Sequence, residues 1–248
     1  IGGFISSTFM RGIDFVNVPT TLLGMVDASI GGKTGIDFKN LKNIIGKFEF
    51  AKIILIDESF LKTLNEQHIV SGLAEMIKHA LIDSTNHWNS IRKIESIKDI
   101  SKEIIYSSIL TKVKIIEKDP TEKDLRKHLN YGHTLGHALE SFLLGTKREL
   151  LHGEAISIGI ILESYLSYLR LKFDINKVNQ IKSFIMKFYK KIHFEIKDIE
   201  IIIKLLKYDK KNINDNALFV LINNIGEPTT NNEINTIEIK EAFKFYED

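Results

Sequence analysis

The chain of 248 residues contains no cysteine. Disulfides and thiolate metal sites are thereby excluded, and any zinc has to be held by histidine and carboxylate. A strong charge of either sign is also missing. With 34 Lys and Arg against 32 Asp and Glu, the net charge is +2, which makes no electrostatic case for nucleic acid. Lysines gather at Lys207, Lys210 and Lys211, but they are interleaved with other residues and read as a solvated helix face. There is no charged start followed by an apolar core of the signal-peptide kind, and no uninterrupted apolar run long enough to span a bilayer. A cytoplasmic location without nucleic-acid or membrane partners is the resulting expectation. Internal repeats and low-complexity linkers are absent as well.

What is present suits one large or two modest globular domains: 44% hydrophobic residues for a core and 27% charged residues for a wet surface. The chain opens on Ile1-Gly2-Gly3-Phe4-Ile5, which reads as the inside of a fold. A fragment, or a product lacking its beginning, is expected. The first sixty-odd residues have α/β texture. Phe15–Val18 and Lys52–Asp57 read as short buried strands, with Gly31-Gly32-Lys33-Thr34-Gly35 as a loop between them. The pattern changes near Leu64. Ile69, Leu73, Ile77 and Leu81 form one stripe of a helix over 66–82, and Ile104–Ile116 forms another that ends before Asp119-Pro120. Further helices are predicted at 129–145, 153–172, 175–190, 196–207 and 236–246, with a strand over 217–222 and a turn at 223–226.

The densest chemistry lies in Asn130-Tyr131-Gly132-His133-Thr134-Leu135-Gly136-His137 and in Leu151-His152-Gly153-Glu154. His133 and His137, four apart, share a helix face, and His152 follows after a break. Imidazoles with one carboxylate suit zinc. Thr134 stands where a zinc protease carries its catalytic Glu, so that reading is disfavoured. Glu75 and Lys78 project from one helix face, and as an exposed pair they would contribute only about 0.3–0.5 kcal/mol. Gly72-Leu73-Ala74 leaves the helix slim beside Glu75, as expected where a ligand or metal approaches. Glu75 with His133 and His152 would complete a two-His, one-carboxylate site, although spacing alone does not join them. The Gly31–Gly35 run is no P-loop, because G-x-x-x-x-G-K-[ST] requires another glycine five residues before Gly32 and none stands there. Small residues there still let a ligand approach the backbone, and Lys33 offers an anion a point charge. Asp27, Lys42 and Asn43 are polar groups around the same loop. Arg126 can grip an oxyanion bidentately, or it is an ordinary surface charge.

Several motifs taken together resemble the 3-dehydroquinate synthase family. They are Met10-Arg11-Gly12, Val18-Pro19-Thr20-Thr21-Leu22-Leu23, Val26 to Gly35, Lys42 to Gly46, Gly72 to Lys78, Leu125-Arg126, Leu129 to His133 and Leu151 to Glu154. The resemblance runs from residue 1 to about 228, and the wider relatives are sugar-phosphate cyclases. It implies a Rossmann-like α/β NAD-binding domain, truncated here to residues 1–64, followed by a mainly α-helical metal- and substrate-binding domain over 65–248. Position by position, it implies Glu75, His133 and His152 as metal ligands for zinc, with cobalt as a substitute. Thr20, Thr21, Lys33, Lys42, Phe60, Leu61, Lys62 and Thr63 fall on NAD-contacting positions. Asp27, Lys33, Lys78, Lys112, Asn130 and His137 fall on catalytic-pocket positions. Arg126, Asn43 and Lys210 fall near the substrate phosphate, and Arg11 matches an arginine that reaches a partner's phosphate site in a homodimer.

The implied reaction converts 3-deoxy-D-arabino-heptulosonate 7-phosphate to 3-dehydroquinate plus phosphate, a step of aromatic amino acid biosynthesis. It proceeds by transient NAD oxidation, phosphate elimination, reduction, ring opening and aldol closure, so the enzyme is a lyase. The family's glycine-rich loop for the NAD pyrophosphate would precede Ile1, so this chain alone is expected to bind NAD poorly and to be inactive. Two alternatives stay open at this point. One is a cyclase of valiolone or inosose type, and the other is a non-catalytic remnant serving as a binding or dimerisation module.

Overall fold

The computed structural model of the chain describes residues 1–38, 41–207 and 217–248, with the side chains of 37, 38, 41–43 and 207 outside that description. The glycine-punctuated first part folds into small pieces. These are α1 (Gly2–Thr8), β1 (Val16–Asn17), a π-helical turn (Gly24–Ala28), the hairpin of β2 (Lys33–Phe38) and β3 (Leu41–Phe48), β4 (Ile53–Ile54) and a 3-10 helix (Glu58–Thr63). β1 and β4 pair in parallel, Val16 with Ile53 and Asn17 with Ile54. Both predicted strands therefore exist, but Val16 and Ile53 are exposed rather than buried. The reason is that, among the described residues, this sheet has only these two strands.

The loop predicted at 31–35 is corrected in part. Gly31 and Gly32 turn the chain at φ 116° and 67°, but Lys33 onward is strand, because Lys33, Thr34 and Gly35 pair with Phe48, Lys47 and Gly46 of β3.

The remainder is mainly helical: α2 (Glu66–Asp83), α3 (Thr85–Ile91), α4 (Lys102–Lys118), a 3-10 helix (Leu125–Asn130), α5 (His133–Leu143), α6 (His152–Leu171), α7 (Ile175–Ile185) and α8 (Ile196–Lys207). The hairpin of β5 (Leu218–Asn224) and β6 (Glu227–Glu233) follows, and then α9 (Thr236–Glu247). Side-chain caps start several helices. The Asn65 carboxamide oxygen accepts from the N–H of Gln67 at 2.9 Å, and Asn235 and Glu238 form a capping box on α9. α4 stops at its C-cap Asp119, one residue before Pro120.

The single helix predicted over 129–145 is two elements. Gly132 takes up φ 79°, which ends the 3-10 segment and makes His133 the first residue of α5. The helix predicted to reach 190 stops at Ile185.

α6 is the centre of the fold. It is apolar nearly all round and packs against α2, α5, α7, α9 and β5. Ile156, Ile160, Leu162 and Leu166 on α6 are fully buried, as are Leu73, Ile77 and Leu81 of the predicted stripe on α2. Each such side chain contributes roughly 1.5–3 kcal/mol of transfer free energy. α2 is buried on all sides from Ser71 to Ile82, so Glu75, Lys78 and His79 lie in the interior. Among the described residues, no helix is long and apolar enough to cross a membrane.

Candidate active site

Glu75, Lys78 and His79 occupy one face of α2, and all three side chains are essentially inaccessible to water. The Lys78 ammonium donates to Glu75 Oε2, which leaves Glu75 Oε1 buried without a hydrogen-bond partner. Two imidazoles face that orphaned oxygen, His133 Nε2 at 3.3 Å and His152 Nε2 at 3.4 Å. The first residues of α5 and α6 thus converge on the middle of α2.

The orientation of each ring has a cause. His133 Nδ1 lies 3.1 Å from the Tyr131 carbonyl oxygen, so Nδ1 carries the proton and Nε2 presents its lone pair. Burial and the nearby Lys78 charge push the His133 pKa down, which keeps the ring neutral. His152 Nδ1 faces the Glu140 carboxylate at 3.6 Å. One donor atom from each of Glu75, His133 and His152 lies within 4.8 Å of the others. A buried carboxylate oxygen with no partner, between two imidazole nitrogens, fits a zinc-like ion.

Lys78 also lies 3.6 Å from Asp27 Oδ1. Lys112, from α4, donates at 2.6 Å both to Asp27 Oδ1 and to the Asp27 backbone carbonyl. The π-helical turn brings Asp27 to this meeting point. Burial would raise the Asp27 pKa, but the charges of Lys112 and Lys78 hold it far below the usual carboxylate range. Behind Asp27 lies His79, with Nδ1 2.7 Å from Ser108 Oγ and Nε2 3.7 Å from Asp27 Oδ1. Burial presses the pKa of His79 down to about 4, so it is a neutral imidazole.

These groups open onto a cavity of about 600 Å³. Its far wall is built by the segment after α4. The Asp119 carboxylate accepts backbone N–H bonds from Lys123, Asp124 and Arg126, which folds 119–126 into a tight loop. Arg126 is consequently buried, with one guanidinium nitrogen donating to Gly31 O at 2.8 Å and another to Pro120 O. Glu122 from this loop bridges two pocket residues, accepting from Lys33 and, at 2.7 Å, from the Asn130 carboxamide. His137 lines the same cavity, its ring centre 5.1 Å from that of His133.

Of the residues singled out in the sequence, Asp27, Lys33, Lys78, Lys112, Arg126, Asn130, His133, His137 and His152 all line this cavity, and Glu75 abuts it through the two histidines. Thr20, Thr21, Phe60, Leu61, Lys62, Thr63 and Arg11 are not on its wall. Thr21 instead accepts the Gly24 N–H at the π-helical turn. Lys210 lies outside the described residues, as do the side chains of Lys42 and Asn43, whose backbone runs in β3.

The slim stretch at Gly72 has a different use from the one expected. A Cβ there would come within 2.6 Å of Leu22, so the gap admits the chain leading to Asp27 rather than a ligand. Sequence reasoning missed His79, Glu122 and Glu140. His79 had one signal, its place four residues after Glu75 on the same helix, and Glu122 and Glu140 had none.

Comparison with known proteins places the chain. The sequence models described as "3-dehydroquinate synthase N-terminal" and "3-dehydroquinate synthase C-terminal" match residues 1–71 and 72–212. The chain belongs to the 3-dehydroquinate synthase family. It is 40% identical over 249 aligned residues to 3-dehydroquinate synthase of Parabacteroides distasonis, covering 99% of this chain and 70% of that protein. To the 3-dehydroquinate synthase of Helicobacter pylori strain G27 it is 39% identical over 224 residues, 90% of this chain and 64% of that protein. The chain thus spans about two thirds of the length of these family members. Among solved structures it resembles 2-epi-5-epi-valiolone synthase of Streptomyces hygroscopicus subsp. jinggangensis 5008, solved with NAD+ and Zn2+ bound. The TM-score is 0.86 at 26% identity, over 99% of this chain and 69% of that one.

Proposed function

We propose that this chain carries the metal and substrate site of a 3-dehydroquinate synthase, which turns 3-deoxy-D-arabino-heptulosonate 7-phosphate into 3-dehydroquinate and phosphate with NAD and zinc. The observation that carries this reading is the orphaned, buried Glu75 Oε1 faced by His133 and His152. When bound, the ion supplies Lewis acidity at neighbouring substrate oxygens and NAD supplies a reversible hydride acceptor.

The other tasks fall to the chain's own side chains. Arg126, its guanidinium fixed by two carbonyls, binds the phosphate bidentately together with Lys33 and, by family resemblance, Asn43, Lys210 and the partner's Arg11 position. Asp27, Lys78 and Lys112 form a charged wall whose mutual bonds hold each ammonium in place for substrate hydroxyls. Asn130 orients the substrate, and His137 holds or moves a proton beside it. Thr20, Thr21, Lys33, Lys42 and Phe60–Thr63 contact NAD. For Lys33 a glycine-lined hollow of about 340 Å³ beside the main cavity supports that placement, and the other positions rest on the family resemblance. A domain division near residue 64, a homodimer and a cytoplasmic location belong to the same reading.

The β1–β4 pair bears on activity. Parallel strands are normally covered on both faces, yet Val16, Val18, Ile53 and Leu55 are exposed. We therefore expect the 248-residue chain alone to bind NAD poorly and to show no turnover, and the chain preceded by the family's glycine-rich segment to be active. The test is phosphate release from the heptulosonate phosphate with NAD and zinc. Turnover by the 248-residue chain would overturn the first expectation, and no turnover by the extended protein would overturn the activity.

A second reading, a cyclase of valiolone type, is favoured by the similarity to the valiolone synthase structure. Turnover of sedoheptulose 7-phosphate in place of the heptulosonate would decide for it.

A further inference from the structure

One fully buried carboxyl takes no part in the site described so far. Glu163 lies on α6, with no exposure to water. Its Oε2 accepts the backbone N–H of Gly132 at 2.6 Å, and its Oε1 accepts that of Leu135 at 3.1 Å. The backbone of Thr134 also favours its ionised form. These are N–H groups of the N-cap and first turn of α5, the turn that begins with His133. α5 has no side-chain cap of its own, because its N-cap is Gly132. Without Glu163, several buried N–H groups would have no partner, at about 1–3 kcal/mol each.

The contact between the two helices is unusually close at this point. A Cβ on Gly159 of α6 would come within 2.0 Å of the Gly132 carbonyl oxygen, and one on Gly132 within 2.6 Å of Ile160. Backbone therefore touches backbone, and Glu163 sits one turn further along α6. Packing alone does not call for an ionisable group here. The neighbouring link from Tyr131 to Ser164, 2.6 Å between hydroxyls, anchors the same segment without one. Burial pushes the Glu163 carboxyl up to about 8 against the pull of the backbone N–H groups, so its placement carries a cost.

We propose that Glu163 is a positioning residue for the metal site, holding the first turn of α5 against α6 so that His133 and His152 are presented to one ion. α6 would then serve twice, offering His152 at its start and fixing His133 from its interior. This inference rests on the assignment of Glu75, His133 and His152 as ligands.

The experiment uses the whole chain, stripped of metal and titrated with Co2+ while the visible spectrum is followed. In E163Q one acceptor oxygen becomes an amide donor facing an N–H. The proposal predicts Co2+ binding weakened about 10–100-fold, with altered visible bands, in a protein whose far-UV circular dichroism is unchanged. E75Q, run alongside, should lose binding outright. If E163Q only melts earlier while binding Co2+ with wild-type affinity and spectrum, Glu163 is merely structural and the proposal fails. If E75Q binds as wild type, the ligand assignment itself fails and this inference with it. Hydrogen exchange on the metal-free wild type needs no variant. The amides of Gly132, Thr134 and Leu135 should be protected before any metal is added, and rapid exchange there would overturn the proposal.

Discussion

His133 and Glu75 meet at 3.3 Å because the other nitrogen of His133 is tied to the carbonyl of Tyr131. The Nε2 lone pair is thereby aimed at Glu75, which keeps one oxygen without a hydrogen-bond partner. The candidate site is therefore built by backbone geometry at the start of α5 as much as by the three proposed ligands themselves.

Lys78 is the counter-charge of this buried carboxylate. Replacing it by methionine leaves Glu75 without the cation that donates to its Oε2. In chelator, the K78M chain should lose about 3–5 kcal/mol of stability in urea unfolding. Zinc should restore a larger part of that loss than it adds to the wild type, since the ion replaces the missing positive charge. Equal stability of K78M and wild type in chelator would contradict the pairing.

His79 sets a pH dependence. Its folded pKa is lowered from 6.5 to about 4 by burial. Between those values the unfolded chain takes up a proton that the folded chain refuses, so stability falls as pH drops from about 6.5 toward 4. H79Q removes that component. The difference in Tm between pH 7 and pH 5 should be smaller in H79Q than in the wild type. An identical difference in the two proteins would show that His79 is not buried in its neutral form.

Much of this site was legible in the sequence and part was not. The proposed ligand and pocket residues lie in short motifs that the family resemblance joins into one site, and the stripe of Leu73, Ile77 and Leu81 located α2. Local pattern could not show that α2 is buried on every side, which turns Glu75 and Lys78 from a weak surface pair into an interior one. It also read 129–145 as one helix, because helical periodicity carries through Gly132 while the backbone there turns left-handed. Glu122, Glu140 and Glu163 were invisible for a related reason. Each acts through a partner on another element, so only tertiary packing gives it a role. Strand burial at Val16 and Ile53 was misjudged because β-branched runs signal pleated structure, not the number of neighbouring strands.

Arg126 tests the phosphate assignment. Its two carbonyl partners fix the plane of the guanidinium, which a lysine cannot reproduce. R126K should bind inorganic phosphate about 10-fold more weakly in calorimetric titration, in line with the loss of one charge-assisted hydrogen bond. Unchanged affinity would remove Arg126 from the phosphate site.

Glu75, His133 and His152 are proposed to hold the ion, although among the described residues two other groups of possible ligands stand nearby, one of His137, Glu140 and His152 and one of Asp27, Glu75 and His79. The most direct measurement is an anomalous-difference map at the zinc edge from crystals grown with zinc. One peak is expected at about 2.0–2.2 Å from a Glu75 oxygen and from Nε2 of both His133 and His152. A peak held by His137 and Glu140, or by Asp27 and His79, with neither His133 nor His152 joined to Glu75 around it, would contradict it.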